Sequence, residues 1–385
     1  MNYQRSGWHC ATVEAIACII PMTLGAAHAA AQSNVTLFGI VDGSMVVSRS
    51  GAPGATTQKS IMSGVADASF WGVRGVEDLG GGYKALFQLE AGLDLDTGAS
   101  KTYTGDYANA TAAAPNGSAG IGFNRRAHVG IVTPYGTVLV GRDYTPTFYS
   151  ALVTDTMSLR YFGDVQALLA LTSGVERDTR VSNAIFYTSP FISHFRVRAA
   201  YSLGSESNGG APKPPAHGNE FYGVGGDYVS GGLTVSGSYQ SLRLPLVAGT
   251  PVAYTTLYQR KDGMLGARYV FGRYTVAAGR FQIGLPQRGT STWFGGSATF
   301  GASTVYAQVQ QLTQNDTVGA KRRGTPLGIA YAYNLSKRSI LYSSFGRTSN
   351  NATGRFGIFG NDLSISAGAA GATVTALAMG VRHAF

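Results

Sequence analysis

The chain has 385 residues, of which 53 are Gly and only 13% are charged, and its mean hydropathy is +0.03. Charge stands near half the usual soluble share and Gly near twice it, while an aromatic fraction of 11% excludes a disordered or low-complexity chain. There is no long unbroken apolar run, which excludes spanning helices, and the basic residues behind the formal charge of +10 are scattered singly or in pairs outside Lys321-Arg322-Arg323, which argues against a nucleic-acid surface.

Residues 1–31 read as a secretory signal peptide. Arg5 supplies the positive start, Ala15 to Leu24 a short apolar core, and Ala27-His28-Ala29 and Ala29-Ala30-Ala31 compete as small-residue cleavage sites. Cleavage after Ala31 leaves residues 32–385 as the folded domain. Cys10 and Cys18 both fall in the removed segment, so the exported chain is expected to fold without disulfides.

From there the periodicity is two. Ala85, Phe87, Leu89, Ala91 and Leu93 alternate with Lys84, Gln88, Glu90 and Asp94. Phe195, Val197, Ala199, Tyr201 and Leu203 alternate with Arg196, Arg198 and Ser202. Leu233, Val235, Gly237 and Tyr239 alternate with Thr234, Ser236, Ser238 and Gln240. Val305, Ala307 and Val309 alternate with Thr304, Tyr306, Gln308 and Gln310, and Leu377, Met379, Val381 and Phe385 close the chain against Ala376, Ala378, Gly380, Arg382 and Ala384.

A soluble sandwich alternates in the same way. The punctuation separates the two architectures. Short turn signals stand at Asp78–Gly82, Thr133–Gly136, Ser189–His194, Ser230–Gly232, Gly272-Arg273, Gly301-Ala302 and Asn334–Arg338. Longer polar stretches lie near 49–66, 96–122, 144–179, 204–218, 242–262, 284–291, 312–323 and 348–372. Short and long connections alternate strictly and separate sixteen strands with both ends on the short-turn side. That pattern predicts an all-β, 16-stranded antiparallel transmembrane β-barrel with short periplasmic turns and long extracellular loops. About 22 residues per strand and connection suit a membrane strand of about 9–11 residues.

Several stretches resemble the general, trimeric porins of the Gram-negative outer membrane, above all those of beta-proteobacteria. Asn34-Val35-Thr36-Leu37-Phe38-Gly39 is similar to the family's first strand, and Trp71-Gly72-Val73-Arg74-Gly75-Val76-Glu77-Asp78-Leu79-Gly80-Gly81-Gly82 to its first hairpin. Phe123-Asn124-Arg125-Arg126-Ala127, Gly141-Arg142-Asp143-Tyr144-Thr145-Pro146, Tyr333-Asn334-Leu335-Ser336-Lys337-Arg338-Ser339 and Val381-Arg382-His383-Ala384-Phe385 extend the match to the end.

The resemblance implies a homotrimer in the cell outer membrane, passing ions and small hydrophilic solutes by diffusion. It also implies a third extracellular loop, here about 144–179, folded inward to narrow each pore. That loop carries Asp155, Asp164, Glu176 and Asp178 with Arg160 and Arg177 among them. Further implied partners are outer-membrane lipid and lipopolysaccharide, and the barrel-assembly machinery, for which Phe385 would form part of the C-terminal signal. Phe385 also suits an aromatic girdle at the interface.

For selectivity, a low-dielectric wall focuses the field of charges facing the water. Strand parity turns Arg180, Arg196, Arg198 and Arg382 toward the lumen, and the resemblance adds Arg74, Arg125 and Arg142. Asp155 and Asp164 are expected to face this basic wall, giving a net preference for anions. If Arg125 faces the lumen, parity turns Arg126 outward, toward a subunit contact that Gly39 and Gly43 would let pack closely. Two positions where the family usually carries Arg hold Phe70 and Phe186, which would line part of the pore with apolar surface.

No catalytic pattern occurs: H-E-x-x-H, G-x-S-x-G and the phosphate-binding G-x-x-x-x-G-K are all missing. His128, His194, His217 and His383 stand apart in sequence, so neither metal nor cofactor is expected. Gly223-Val224-Gly225-Gly226 lies within a strand with no helical pattern after it, unlike a dinucleotide site.

Overall fold

The computed structural model describes residues 34–101, 122–165, 179–204, 220–248, 253–284, 288–315, 321–361 and 363–385. The predicted signal peptide lies outside them. The chain forms β1 (Asn34–Ser50), β2 (Gln58–Ser63), β3 (Phe70–Gly80), β4 (Tyr83–Asp94), β5 (Ala99–Ser100), β6 (Arg126–Thr133) and β7 (Gly136–Tyr144). Helix α1 (Pro146–Thr154) follows, then β8 (Arg180–Thr188), β9 (Phe195–Ser202), β10 (Phe221–Ser230), β11 (Leu233–Ala248), β12 (Ala253–Phe271) and β13 (Tyr274–Ile283). The last are β14 (Gly289–Phe300), β15 (Ser303–Asn315), β16 (Lys321–Asn334), β17 (Ser339–Asn350), β18 (Ile358–Phe359), β19 (Ser364–Ile365) and β20 (Val374–Ala384).

All but β2, β5, β18 and β19 pair antiparallel with their neighbours in chain order, and β20 returns to β1, with Ile40 opposite Ala384 and Ser50 opposite Val374. Sixteen strands therefore close into a barrel. Closure leaves no edge with unpaired backbone, which a hydrocarbon solvent requires. At the seam the Gly39 N–H donates to the Phe385 carbonyl at 3.2 Å and the Phe385 N–H to that of Gly39 at 3.1 Å. The Phe385 ring lies over Gly39, 2.5 Å from where a Cβ would stand, so this chain itself fills the room that Gly39 was expected to offer another subunit.

The alternation decides what faces what. Val35, Leu37, Met45, Val129, Leu265, Phe294 and Met379 on the outer face are 60–65% exposed. Each such side chain left in water forfeits roughly 1.5–3 kcal/mol, so this surface suits lipid. Tyr269, Phe271, Tyr274, Phe300, Tyr331 and Tyr333 ring the outer face at the short-turn end, where amphipathic aromatics sit at a membrane interface. Polar partners such as Asp42, Glu90, Asp227 and Gln308 are buried on the inner face.

The seven short turns fall where turn chemistry put them. Two predicted loops do not. Most of 242–262 is strand, paired from Leu242 opposite Arg260 up to Ala248 opposite Ala253. Only 316–320 separate β15 from β16, although 312–323 was expected as loop. Above the hydrocarbon a hairpin needs only its backbone ladder, so pairing continues after apolar alternation has stopped.

Candidate functional site

The third long connection begins inside the barrel. Thr145 caps α1 by accepting the Phe148 N–H on its Oγ1 at 3.2 Å, and Pro146 starts the first turn, where a missing N–H costs nothing. The helix rests against β10–β12. Ser236 Oγ donates to Ser150 Oγ at 2.9 Å and Ser238 Oγ to Thr147 Oγ1 at 3.1 Å. A Cβ on Gly225 would stand 3.1 Å from Pro146, so the glycines of the Gly223–Gly226 run clear space for the helix.

Beyond α1 the loop crosses the lumen and is pinned to the opposite wall and to the segments around Val65 and Phe359. Phe162 N donates to Ser344 Oγ at 2.9 Å, Gly163 N to the Phe359 carbonyl at 3.1 Å and Tyr161 N to the Val65 carbonyl at 3.0 Å. Gln308 and Gln310 both donate Nε2 to the Gly163 carbonyl, at 3.0 and 2.7 Å. Met157, Tyr161 and Phe162 pack with Val46, Ala330, Ala332, Tyr342, Ala376 and Ala378 in one buried cluster. Small residues on the inner wall leave room for the loop's large ones. Gly163 has φ +85 and lies against Gly328, where a Cβ on Gly163 would approach the Gly328 Cα to 2.6 Å. The described residues of this loop thus fold inward, as the resemblance implied.

Between loop and wall lies a cavity of about 220 Å³, lined by Phe70, Arg125, Tyr144 and Arg180 on one side and Phe148 and Arg160 on the other, with Asp67 at its edge. Arg125 and Arg180 each donate Nη2 to the Tyr144 hydroxyl, at 3.0 and 2.9 Å. Arg180 lies over the Tyr144 ring and Arg125 over the Phe70 ring, both at 4.5 Å, and Tyr144 stacks on Phe148 at 4.1 Å. Aromatic faces thereby carry the guanidiniums where water is scarce. Phe70 is a platform for an arginine in a place where the family usually has one. Phe186 is buried elsewhere, among Val181, Ala184, Ala200, Phe221 and Leu242.

Several carboxylates at this site are paired with basic groups. Glu90 Oε2 meets Arg125 Nε at 3.3 Å, and Glu90 Oε1 lies 4.0 Å from Arg126. Asp143 binds Arg126 Nε at 2.8 Å. Asp67 takes Arg382 Nε at 2.9 Å and Arg160 Nη2 at 3.2 Å, and Asp227 takes Arg196 and Arg198, each at 2.7 Å. Sequence reasoning missed Asp67 and Asp143 as counter-charges; Asp67 lies between strands, where no alternation marks it.

The predicted site residues divide. Arg125 and Arg180 meet in the cavity, while Arg74 faces the lumen with its guanidinium 4.8 Å from the Phe38 ring. Arg196 and Arg198 also face inward, locked on Asp227 beneath α1. Arg142 does not face inward. It stands opposite Ala127 on the face of Val129 and Val140, held by the Asn124 carbonyl at 2.8 Å and Ser182 Oγ at 2.6 Å. Its neighbour Asp143 takes the inward position, and alternation leaves Arg142 the outer one. Arg126 faces the lumen, opposite Glu90, because Arg125 precedes β6 in a bend and so escapes strand parity.

Asp155 and Asp164 do not look across at the basic wall. Both are fully buried in the joint between loop and wall. Asp155 Oδ2 accepts the Leu159 N–H at 2.7 Å, closing the turn after α1. Burial pushes its carboxyl up to about 6, against that hydrogen bond, which pulls it down. Glu176, Arg177 and Asp178 lie outside the described residues. Among the described residues no group of His, Cys, Asp and Glu is arranged to hold a metal ion.

Comparison with known proteins matches this architecture. The family model for Gram-negative porins matches residues 15–353. Outer membrane porin protein 32 of Delftia acidovorans is 29% identical over 367 residues, 93% of this chain and 95% of the relative. Major outer membrane protein P.IB of Neisseria meningitidis is 27% identical over 58% of both chains. Among solved structures, the anion-selective porin from Comamonas acidovorans superposes with a TM-score of 0.70 at 25% identity, covering 92% of this chain and all of that one. The in-vitro folded trimer form of OmpT, an outer membrane protein of Vibrio cholerae, has the same fold, with a TM-score of 0.64 at 15% identity over 92% and 99% of the two chains. With the family model spanning most of its length, this chain belongs to the Gram-negative porin family of the outer membrane.

Proposed function

We propose that this outer-membrane porin, a passive diffusion channel for ions and small hydrophilic solutes, prefers anions, and that the cavity between loop three and the wall sets the preference. The carrying observation is the lining itself: three guanidiniums, Arg125, Arg160 and Arg180, against one lining carboxylate, Asp67, with Glu90 behind Arg125. Arg74 adds a lumen charge nearer the turn end, and Arg196 and Arg198 leave one net positive charge after pairing with Asp227. A low-dielectric wall makes such an excess felt by every passing ion. The similar porin from Comamonas acidovorans is anion-selective, which supports the same sign.

In this reading the chain works as a homotrimer and catalyses no reaction. Residues 1–31 direct export, Phe385 helps the assembly machinery recognise the last strand, and lipopolysaccharide surrounds the outer-leaflet rim. Liposome swelling tests the channel: proteoliposomes should swell faster with a small organic anion than with a cation of equal size. Equal rates, or faster entry of the cation, would contradict the preference.

A further inference from the structure

The carboxylates paired with arginine on the inner face are of two kinds. Glu90, Asp143 and Asp227 stand on strands, and their side chains are only 5, 3 and 1% exposed, so a passing ion meets little of them. Asp67 belongs to no strand. It lies in the connection from β2 to β3, lines the cavity beside loop three, and has a side chain 16% exposed. Among the described residues lining that cavity it is the one carboxylate, and of these four its charge is the most open to water.

The fold fixes this residue from several sides. Asp42 of β1, itself buried, accepts the Ala66 and Asp67 N–H groups on Oδ2 at 2.7 and 2.6 Å, which ties the backbone at Asp67 to the wall. Asp42 N donates to Ser69 Oγ at 3.0 Å, and Asn361, in the last long connection, accepts the Ala68 N–H at 2.9 Å. With its backbone held, Asp67 joins two parts of the chain that no strand pairing brings together. Its Oδ2 takes Nε of Arg382 on β20 at 2.9 Å and Nη2 of Arg160 in loop three at 3.2 Å. Arg382 stands opposite Asp42 in the β1–β20 register, on the inner face, and Arg160 lines the cavity. Two guanidiniums therefore share one carboxylate. Removing its charge would raise the net charge of this group from +1 to +2 without touching Arg125 or Arg180.

We propose that Asp67 is a specificity-determining residue of the channel, one that holds its anion preference down. The inference rests on the reading of this cavity as the selective part of the pore, and names the residue that limits the selectivity. Inside a low-dielectric wall a fixed charge acts on a passing ion with little screening. The carboxylate shared by Arg160 and Arg382 weakens the pull on anions and lowers the barrier to cations. It also keeps an anion's stay short, because conduction needs a site that the ion can leave. With the Asp67 charge gone, Arg160 and Arg382 would join Arg125 and Arg180 in attracting anions, and the chamber would retain them longer. A channel for unselected small solutes is better served by the tempered chamber than by the wholly basic one.

Reversal potentials in a planar bilayer under a potassium chloride gradient test the proposal. Asp67→Asn keeps the shape of the side chain and one acceptor oxygen. It should raise the anion-to-cation permeability ratio about fivefold, the effect of one nearby charge at water-like screening, and Asp67→Glu should keep the parent's ratio. A purely structural strap would move the ratio the other way, since a loosened loop three widens the passage and weakens selectivity. Asp67→Cys makes the comparison within one inserted, folded channel. Its ratio should start at the raised value and fall back toward the parent's when a sulfonate-bearing methanethiosulfonate restores the negative charge. An Asn variant with the parent's ratio or a lower one would overturn the proposal, as would a Cys variant whose ratio stays put after labelling is verified by mass. The sign in the parent tests the anion reading, and the displacement between parent and variant tests this one. A fivefold displacement from a cation-selective parent would thus support the role of Asp67 and contradict that reading.

Discussion

Replacing Gly328 by Ala should release loop three from the wall while leaving the barrel intact. A Cβ on Gly328 would fall within van der Waals contact of the Phe162 carbonyl, 2.8 Å from the Phe162 carbonyl carbon and 2.9 Å from the Gly163 Cα. These are backbone atoms, and no rotamer change can move them aside. The tip must shift, which strains the four hydrogen bonds that seat it: Phe162 N to Ser344, Gly163 N to Phe359, and Gln308 and Gln310 to the Gly163 carbonyl. At about 0.5–1.5 kcal/mol each these contribute roughly 2–6 kcal/mol. Loss of the Phe162 seat adds roughly 1.5–3 kcal/mol. Overpacking a rigid site typically costs about 1–3 kcal/mol, so a shift that keeps only part of the latch is the cheaper outcome. The tip then samples seated and unseated positions. Planar-bilayer recording should show a larger, noisier open level and weaker ion selectivity. The heat-modified mobility of the folded barrel should stay as in the parent. A Gly328→Ala channel with the parent's conductance, noise and selectivity would refute the latch.

Other perturbations address the remaining contacts. Arg180→Ala removes one of three guanidiniums from the cavity; at water-like screening a nearby charge is worth about 1 kcal/mol, so the anion-to-cation permeability ratio should fall about fivefold, read from reversal potentials. Asp155 titrates near 6 when buried and near 3.8 when free. A carboxyl raised in this way favours the seated loop most at low pH, and that contribution is lost as pH rises through the interval between the two values. Channel noise should therefore increase from pH 4 to pH 7, and Asp155→Asn should abolish the dependence. Deleting Phe385 removes both backbone hydrogen bonds at the Gly39 seam and should lower the yield of heat-modifiable barrel in the outer membrane. If the homotrimer holds, a single insertion should close in three equal conductance steps.

Much of the barrel was legible because a membrane strand must alternate. Lipid outside and water inside set the parity of Phe195–Leu203 and Ala376–Phe385, and the turn residues marked each short connection. The extra length of β11 and β12 was hidden, since above the hydrocarbon nothing forces apolar residues to alternate. Arg142 was misplaced although the signal was present: Val138, Val140 and Arg142 share parity, and the outer face follows from the two valines. Arg126 was misplaced for the opposite reason, because Arg125 sits in a bend before its strand and has no parity. The loop acids could not be read from charge alone. Whether Asp155 looks into the pore or satisfies the Leu159 N–H depends on the path of a non-repeating chain, and periodicity carries no information about that path.

The most direct measurement is the reversal potential of the purified porin in a planar bilayer under a potassium chloride gradient, with Arg125→Ala and Arg180→Ala alongside. A chamber of guanidiniums on aromatic faces predicts the sign of chloride preference in the parent and a potential moving toward zero in each variant. A cation-selective parent, or variants that leave the potential where it was, would contradict the account.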